Sequence, residues 1–435
     1  MELIEKILER SNLTKACYDV VRNKGAAGVD GITVDELKDY LDTHRRALEE
    51  QILSCSYLPQ PIRGKEISKK NGKSRLLGIP TTVDRMLQQA VLRIIQYDYE
   101  YMFSSYSYGF RPRRNTHQAV VQSLDYINSG YQHIVEIDLK GFFDEVDHTL
   151  LLQLLYRKIK CKATMCLIRR WLRVPIEKDG RLYKRRKGVP QGSPISPLLS
   201  NIVLHELDMY MEKMSLNFVR YADDFSVYCK SNREARKVGN AIYLFLKDKL
   251  NLPINREKSG IRRPVNFTIL GYGFVPTYRK GKKEKYQLVV SKESWKSFKE
   301  KLKAITRKTK PMSLDERISR LKLVQRGWIN YYKLASIQQK LMKMDGWLRN
   351  RIRYCIWHDW KKPDRKRKNL IRLGIEQGQA YAWSRTRMGG WAVAQSPILG
   401  TTITLDRLAK RGYESLSFVY EQINPNPSNT LFSMI

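Results

Sequence analysis

Three acidic side chains in this 435-residue sequence stand where acids are costly. Asp223 and Asp224 sit side by side in "FVRYADDFSVYC" (218–229), between apolar and aromatic residues patterned like a β-hairpin. Adjacent carboxylates repel each other, and in a regular strand they would point to opposite faces. Asp138 lies at the end of another apolar run, "HIVEIDLKGFFDEVDH" (133–148), where a strand meets a turn. Each acid taken alone reads as part of a polar surface turn. Central strands of a sheet can bring their ends together, however, and carboxylates that converge there without a cation are strongly disfavoured. Mg²⁺ suits all-oxygen ligands and substrate phosphates. Two such ions can stabilise both the attacking and the leaving oxygens of an in-line phosphoryl transfer. Alternating geometry makes Asp223 and the distant Asp138 the principal ligands expected, with Asp224 tuning the charge or orienting the turn.

The elements that must position these acids form a mixed α+β pattern. Helices in 1–55 surround the glycine-rich loop "NKGAAGVDGIT" (23–33). A β-like stretch (61–80) follows, and its Asn71-Gly72 pair is a hairpin signal. Helical periodicity returns over 82–103 and 116–128, on either side of the arginine-bearing loop "SYGFRPRRNT" (107–116). The Pro/Gly/Ser turn "GVPQGSPISPLLS" (188–200) leads into an amphipathic helix, followed by the acidic hairpin, a helix (232–250) and the strand-like "NFTILGYGFVP" (266–276).

Beyond about residue 280 the character changes. Thirteen basic and three acidic residues fall between Tyr278 and Lys310, and Trp295, Phe298, Leu302 and Ile305 line one helical face. Ser313 with Glu316 forms a capping box for a helix with a buried stripe at Leu314, Ile318, Leu321, Val324 and Trp328. A third helix spans roughly 337–360, and "KKPDRKRKN" (361–369) is a junction into a final basic segment. The expected domains are 1–280 (with 1–55 as an N-terminal extension), 281–362 and 363–435.

A formal net charge of +37 destabilises a compact chain unless an anionic partner neutralises it. Because the charge is spread along the chain, nucleic acid is a better partner than a membrane surface, which is usually met by one concentrated basic helix. Six cysteines at irregular spacings include one close pair, Cys161 and Cys166, and no second pair to complete a zinc site. No stretch approaches the length of a membrane span, and the N-terminus lacks the apolar core of a signal peptide. An intracellular, cytoplasmic chain associated with nucleic acid is expected.

"YADD" with its apolar flanks, "DLKGFFDEVDH", "GVPQGSPISPLLSNIVLHELD" and "ILGYGF" together resemble the ordered blocks of a reverse transcriptase. "NKGAAGVDG", "SYGFRPRRNT" and "RGWINYYKLAS…WLRNRIRYCIWHDWKKP" are similar to the N-terminal block, fingers and maturase domain of enzymes encoded by bacterial group II introns. The resemblance implies a right-hand polymerase, with fingers and an antiparallel palm, then a helical thumb and maturase domain and a small basic DNA-binding domain. It implies that Asp138, Asp223 and Asp224 are catalytic and hold two Mg²⁺ ions. Lys69, Arg75, Phe143, Gln191, Gly192 and Lys258 would bind the dNTP. Phe143 would lie under the sugar and exclude a 2′-hydroxyl, although as a residue type it fits a core position equally well. Arg63, Arg111, Arg113 and Arg114, the lid loop at Gly25 and Ala26, and Lys296, Lys299, Lys303 and Arg307 would meet nucleic acid. Leu270, Gly271 and Tyr272 would form a primer grip. The partners implied are intron RNA, a template–primer duplex, target DNA and dNTPs.

The resemblance is to the compact class, without a C-terminal nuclease. The activity it implies is RNA-directed DNA synthesis combined with help in splicing. Two rival readings share many of these residues. One is a maturase that only binds RNA, and the other is a domesticated reverse transcriptase in DNA repair or phage defence.

Overall fold

Strand-forming alternation accounts for the sheets that carry the acids. In the computed structural model, which describes residues 2–68, 74–277 and 285–424, the chain divides into two units, Met1–Arg263 and Pro264–Ile435. The first unit contains, in chain order, strands β1 (Ile62–Ser68), β2 (Ser74–Ile79), β3 (His133–Ile137), β4 (Ile176–Lys178), β5 (Arg181–Tyr183), β6 (Asn217–Tyr221), β7 (Asp224–Cys229) and β8 (Gly260–Arg262). They pair as two four-stranded sheets, in the orders β2-β1-β4-β5 and β6-β7-β3-β8. The 160–187 stretch carried no expectation. It supplies a helix (Lys162–Arg173) and the β4–β5 hairpin, which joins β1 in parallel through Ile62 and Ile176.

In the second sheet, residues directly opposite one another share a face. Val135, Ile137, Phe225, Val227 and Phe218 point to one side, where all are buried in the main core. Burying side chains of this size contributes about 1.5–3 kcal/mol each. The other face carries Glu136, Ser226 and Asp224. Helix Ser196–Lys213 fills out the core with Leu198, Ile202, Leu204 and Leu207. The helix expected over 116–128 is present, and a capping box between Asn115 and Gln118 opens it.

The second unit begins with β9 (Thr268–Ile269), β10 (Tyr272–Pro276) and β11 (Tyr286–Val290), in the order β11-β10-β9. Helices Lys292–Ile305, Leu314–Tyr331 and Gln338–Asp359 follow, then shorter ones as far as Ile423. Trp295, Phe298 and Leu302 are buried as the periodicity predicts, and Trp328 stacks on Phe298 with ring centroids 4.1 Å apart.

Two expectations need correction. The stretch 266–276 is not one strand. Positive φ at Leu270 (51°) and Gly271 (81°) turns the chain, and β10 pairs with β11, so the units divide after Arg263 rather than near 280. On the 314–331 helix the buried line runs through Arg317, Ile318, Leu321, Gln325 and Ile329. It is displaced from the expected stripe because two polar side chains lie inside. The Asn71-Gly72 turn lies outside the described residues, though the strands on either side of it pair antiparallel as that signal requires.

Candidate active site

The "YADD" acids occupy a two-residue hairpin turn. Tyr221 pairs with Asp224, leaving Ala222 and Asp223 at the tip. Ala222 has φ +58°, as the first position of a primed hairpin turn requires. A non-glycine residue in that conformation costs about 1–2 kcal/mol, so the surroundings must hold it. β3 runs antiparallel to β7, with Ile137 opposite Phe225. The next step along both strands sets Asp138 across from Asp224, and the three acids thus meet at one end of the sheet.

Asp138 is tied down from the loop that precedes β8. Its backbone N–H donates to Ser259 Oγ (3.1 Å), and its carbonyl accepts from Asn255 N (2.7 Å). Its Oδ2 accepts from Asn255 Nδ2 at 3.0 Å, and Lys258 Nζ stands 3.5 Å from the same oxygen. Lys258, expected from sequence, therefore does reach the acids. Glu136 and Asn255 were missed. Glu136 lies two residues before Asp138 on β3, and that spacing alone places them on one face. Its Oε2 accepts from Arg262 Nε at 3.2 Å.

The carboxyl of Asp224 is pushed up to about 6, by loss of solvent around it and then by the charges of Asp223, Asp138 and Glu136, while Lys258 pulls the other way. Among the described residues no group of three or more His, Cys, Asp or Glu side chains forms a ready-made metal cage. Such a cage is not what Mg²⁺ needs: it takes one or two carboxylates and completes its shell with water and phosphate oxygens. Mutually repelling carboxylates facing solvent on a chain of charge +37 fit that donor set.

The "GVPQG" turn packs close to this end of the sheet. Val189 N donates to Phe143 O (2.7 Å) and Gly188 N to Val146 O (2.7 Å). Gly78 N on β2 donates to Gln191 O at 2.8 Å. Gly192 has φ +119°, and a Cβ there would lie 2.4 Å from Gly78 O, so only glycine fits. Gln191 and Gly192 are thereby joined to one sheet, and Phe143 to the turn between the sheets. Phe143 is buried at 9 % exposure and meets Phe142 edge to face at 5.5 Å.

The expected nucleic-acid residues divide. Arg111 does not face solvent. Its guanidinium binds Glu100 (2.7 Å) and the Ser107 carbonyl (2.7 Å) and lies over the Phe103 ring, because a carboxylate and carbonyls inside the loop satisfy it. Arg113 is exposed, and Arg114 is partly so, over Tyr108. Arg63 is exposed on β1. Arg75 lies on β2 opposite Ile67, while Lys69 lies outside the described residues. The Gly25–Ala26 loop is held by Arg85, whose guanidinium donates to Ala26 O at 2.6 Å and lies where a Cβ at Gly25 would stand, so it would have to shift to admit one.

In the second unit, Lys296, Lys299 and Lys303 form one exposed stripe on the Lys292–Ile305 helix, and Arg307 is exposed just beyond its C-terminal end. Tyr272 is fully buried with its hydroxyl donating to Tyr331 O, so of the three expected grip residues it is the partly exposed Leu270 and Gly271 that a ligand could reach. Gly271 abuts the Tyr332 hydroxyl, with no space for a side chain.

Residues 67–274 match the family model described as reverse transcriptase (RNA-dependent DNA polymerase). Residues 295–374 match that of the group II intron maturase-specific domain. The group II intron-encoded protein LtrA of Lactococcus lactis subsp. cremoris is 37 % identical over 206 residues, which is 47 % of this chain and 34 % of that protein. Protein YkfC of Escherichia coli is 31 % identical over 315 residues, 63 % of this chain and 82 % of that one. A putative COX1/OXI3 intron 2 protein of Saccharomyces cerevisiae is 26 % identical over 62 % of this chain and 38 % of its own length. Reverse transcriptase and maturase blocks in this order, with the similarity to these relatives, put the chain in the family of group II intron-encoded reverse transcriptases and maturases.

Proposed function

We propose that the chain is an RNA-directed DNA polymerase encoded by a group II intron, which also binds the intron RNA as a maturase to promote splicing and mobility. The reading rests above all on the strand register that sets Asp138 across from Asp224 beside the Asp223 turn. Asp138 and Asp223 hold two Mg²⁺ ions, and Asp224 adds charge at the same edge. Bound there, the ions supply Lewis-acid stabilisation to the attacking and leaving oxygens of nucleotidyl transfer.

The chain's own residues do the rest. Gln191 and Gly192 hold the incoming dNTP, and Phe143 closes the space beneath its sugar against a 2′-hydroxyl. Lys258, Lys69 and Arg75 offset triphosphate charge. Arg63, Arg113, Arg114 and the Gly25–Ala26 loop guide the template. Lys296, Lys299, Lys303 and Arg307 bind backbone phosphates of the template–primer duplex or of intron RNA, and the Leu270–Gly271 backbone steadies the primer. Phosphate contacts of this kind position nucleic acid without reading its sequence. The basic C-terminal segment from residue 363 meets target DNA, and the protein works in the bacterial cytoplasm beside the nucleoid.

The test is Asp223→Asn. Extension of a DNA primer on an RNA template should be lost, while affinity for structured RNA should stay at the parental level. Undiminished extension by that variant overturns the assignment.

A further inference from the structure

Behind the acidic turn lies a side-chain network that catalysis as described does not use. Arg220 stands opposite Phe225 on the core face of β6 and is completely buried, as is Asp208 on the 196–213 helix. Arg220 Nη2 meets Asp208 Oδ2 at 2.5 Å, and Nε meets Oδ1 at 2.7 Å. The pair is bidentate, and it sits in the core rather than at the rim. A buried ion pair of this sort is a weak source of stability, because an apolar pair of similar volume folds as well or better. What an apolar pair cannot supply is the remaining set of contacts. Arg220 Nη1 donates to the carbonyl of Ala222 at 3.0 Å and to Asn201 Oδ1 at 2.9 Å. Asn201 Nδ2 in turn donates to Gly109 O at 2.9 Å. Gly109 presses directly on the turn, since a Cβ there would come within 2.2 Å of Ala222 N. One guanidinium thus grips the Ala222 peptide on its carbonyl side and, through Asn201, steadies the glycine packed against its nitrogen side. Ala222 is the left-handed residue immediately before Asp223. Asn201 and Asp208 are seven residues apart, which puts both on the helix face toward Arg220.

We propose that Arg220 is a positioning residue: acting with Asp208 and Asn201, it locks the Ala222–Asp223 peptide and so sets where the Asp223 carboxylate meets a divalent ion. The effect on rate rests on the polymerase reading above, but the effect on ion binding does not.

The decisive variant is Arg220→Met combined with Asp208→Leu, which removes both charges and leaves neither one stranded in the core. Arg220→Lys is its companion, keeping an ion pair but unable to reach Asp208, Asn201 and Ala222 together. Ile52→Ala, a cavity in the Leu37–Leu53 helix near the N-terminus, serves as the structural control. Mn²⁺ binding by electron paramagnetic resonance and single-nucleotide incorporation against Mg²⁺ concentration are measured on each full-length chain. The expected result is that the folded double variant binds Mn²⁺ at least about tenfold more weakly. Its kcat should fall by about 100-fold, the cost of a misplacement near 1 Å, with the KM for template–primer unchanged. Ile52→Ala should lower Tm and leave both ion affinity and kcat alone. A folded double variant with parental Mn²⁺ affinity and parental kcat overturns the proposal. Should the double variant not fold, the same two readouts on Arg220→Lys decide between the same outcomes. A parental chain that extends no primer sinks the polymerase reading, and Mn²⁺ affinity still decides this one.

Discussion

Gly109 offers a sharp test of how tightly the acidic turn is held. A methyl group at this position would stand 2.2 Å from Ala222 N, 2.9 Å from Tyr221 C and 3.0 Å from Ala222 Cα, all backbone atoms that cannot swing aside. Ordinary contact begins near 3.4 Å, so in Gly109→Ala either the turn or the 107–111 loop must retreat by about 1 Å in a close-packed interior. The loop is anchored through Arg111 and through the bridge between Ser107 and Arg220, and beyond buried Ala222 the turn is only partly covered at Asp223 and open at Asp224, so the turn is what gives. A reacting group moved by that distance loses about 100-fold in rate, equivalent to about 2.7 kcal/mol in the barrier. Single-turnover primer extension at saturating Mg²⁺ and dNTP reads the change, and a melting curve run alongside confirms that the variant is folded. A folded Gly109→Ala chain that extends primers at the parental rate refutes the idea that this contact fixes Asp223.

Other expectations follow from the same geometry. Asp224 binds its proton more tightly in the folded chain than at its ordinary value of 3.8, so in Mg²⁺-free buffer stability should decline as pH rises through about 6. Added Mg²⁺ should remove that decline; melting temperatures measured across pH that show no slope near 6 without metal would count against the three-acid cluster. In the second unit, buried Asp345 accepts hydrogen bonds from Leu416 N (2.6 Å), Ser417 N (3.0 Å) and Ser417 Oγ (2.7 Å), capping the start of the Leu416–Ile423 helix. Asp345→Ala should cost about 2–3 kcal/mol by denaturant unfolding, since it strands buried donors; a loss below about 0.5 kcal/mol would mean that the cap is replaced by water. Replacing Lys296, Lys299, Lys303 and Arg307 with alanine should make the log–log salt dependence of RNA binding shallower by about one unit per cation removed. An unchanged slope would take that stripe out of the interface.

Much of the site could be read from residue types alone. Asp138 and Asp223 stand out because acids end apolar alternation at both positions, and Lys258 follows from the resemblance. Glu136 was as visible as Asp138, through i, i+2 spacing, but an acid inside a strand reads as a solvated face until its neighbours are known. Arg220 was hidden for a different reason. Its partners lie 12 and 19 residues earlier on a helix otherwise rich in Leu, Ile and Val, and no local pattern ties them to a β-strand. Arg111 shows the converse: positive charge in a loop says nothing about which way a side chain turns, and Glu100 turns this one inward. The break near 263 was missed because a strand's sequence does not name its partner. "NFTILGYGFVP" reads as sheet-forming, and only pairing with 286–290 assigns it to the second unit.

The most direct test of the account is incorporation of a single dNTP by the full-length chain onto a DNA primer annealed to an RNA template, with and without Mg²⁺, beside Asp138→Asn. The account predicts extension that requires Mg²⁺, favours dNTP over rNTP and disappears in the variant. Extension that persists in Asp138→Asn, or none by the parental chain at any Mg²⁺ concentration, would contradict it.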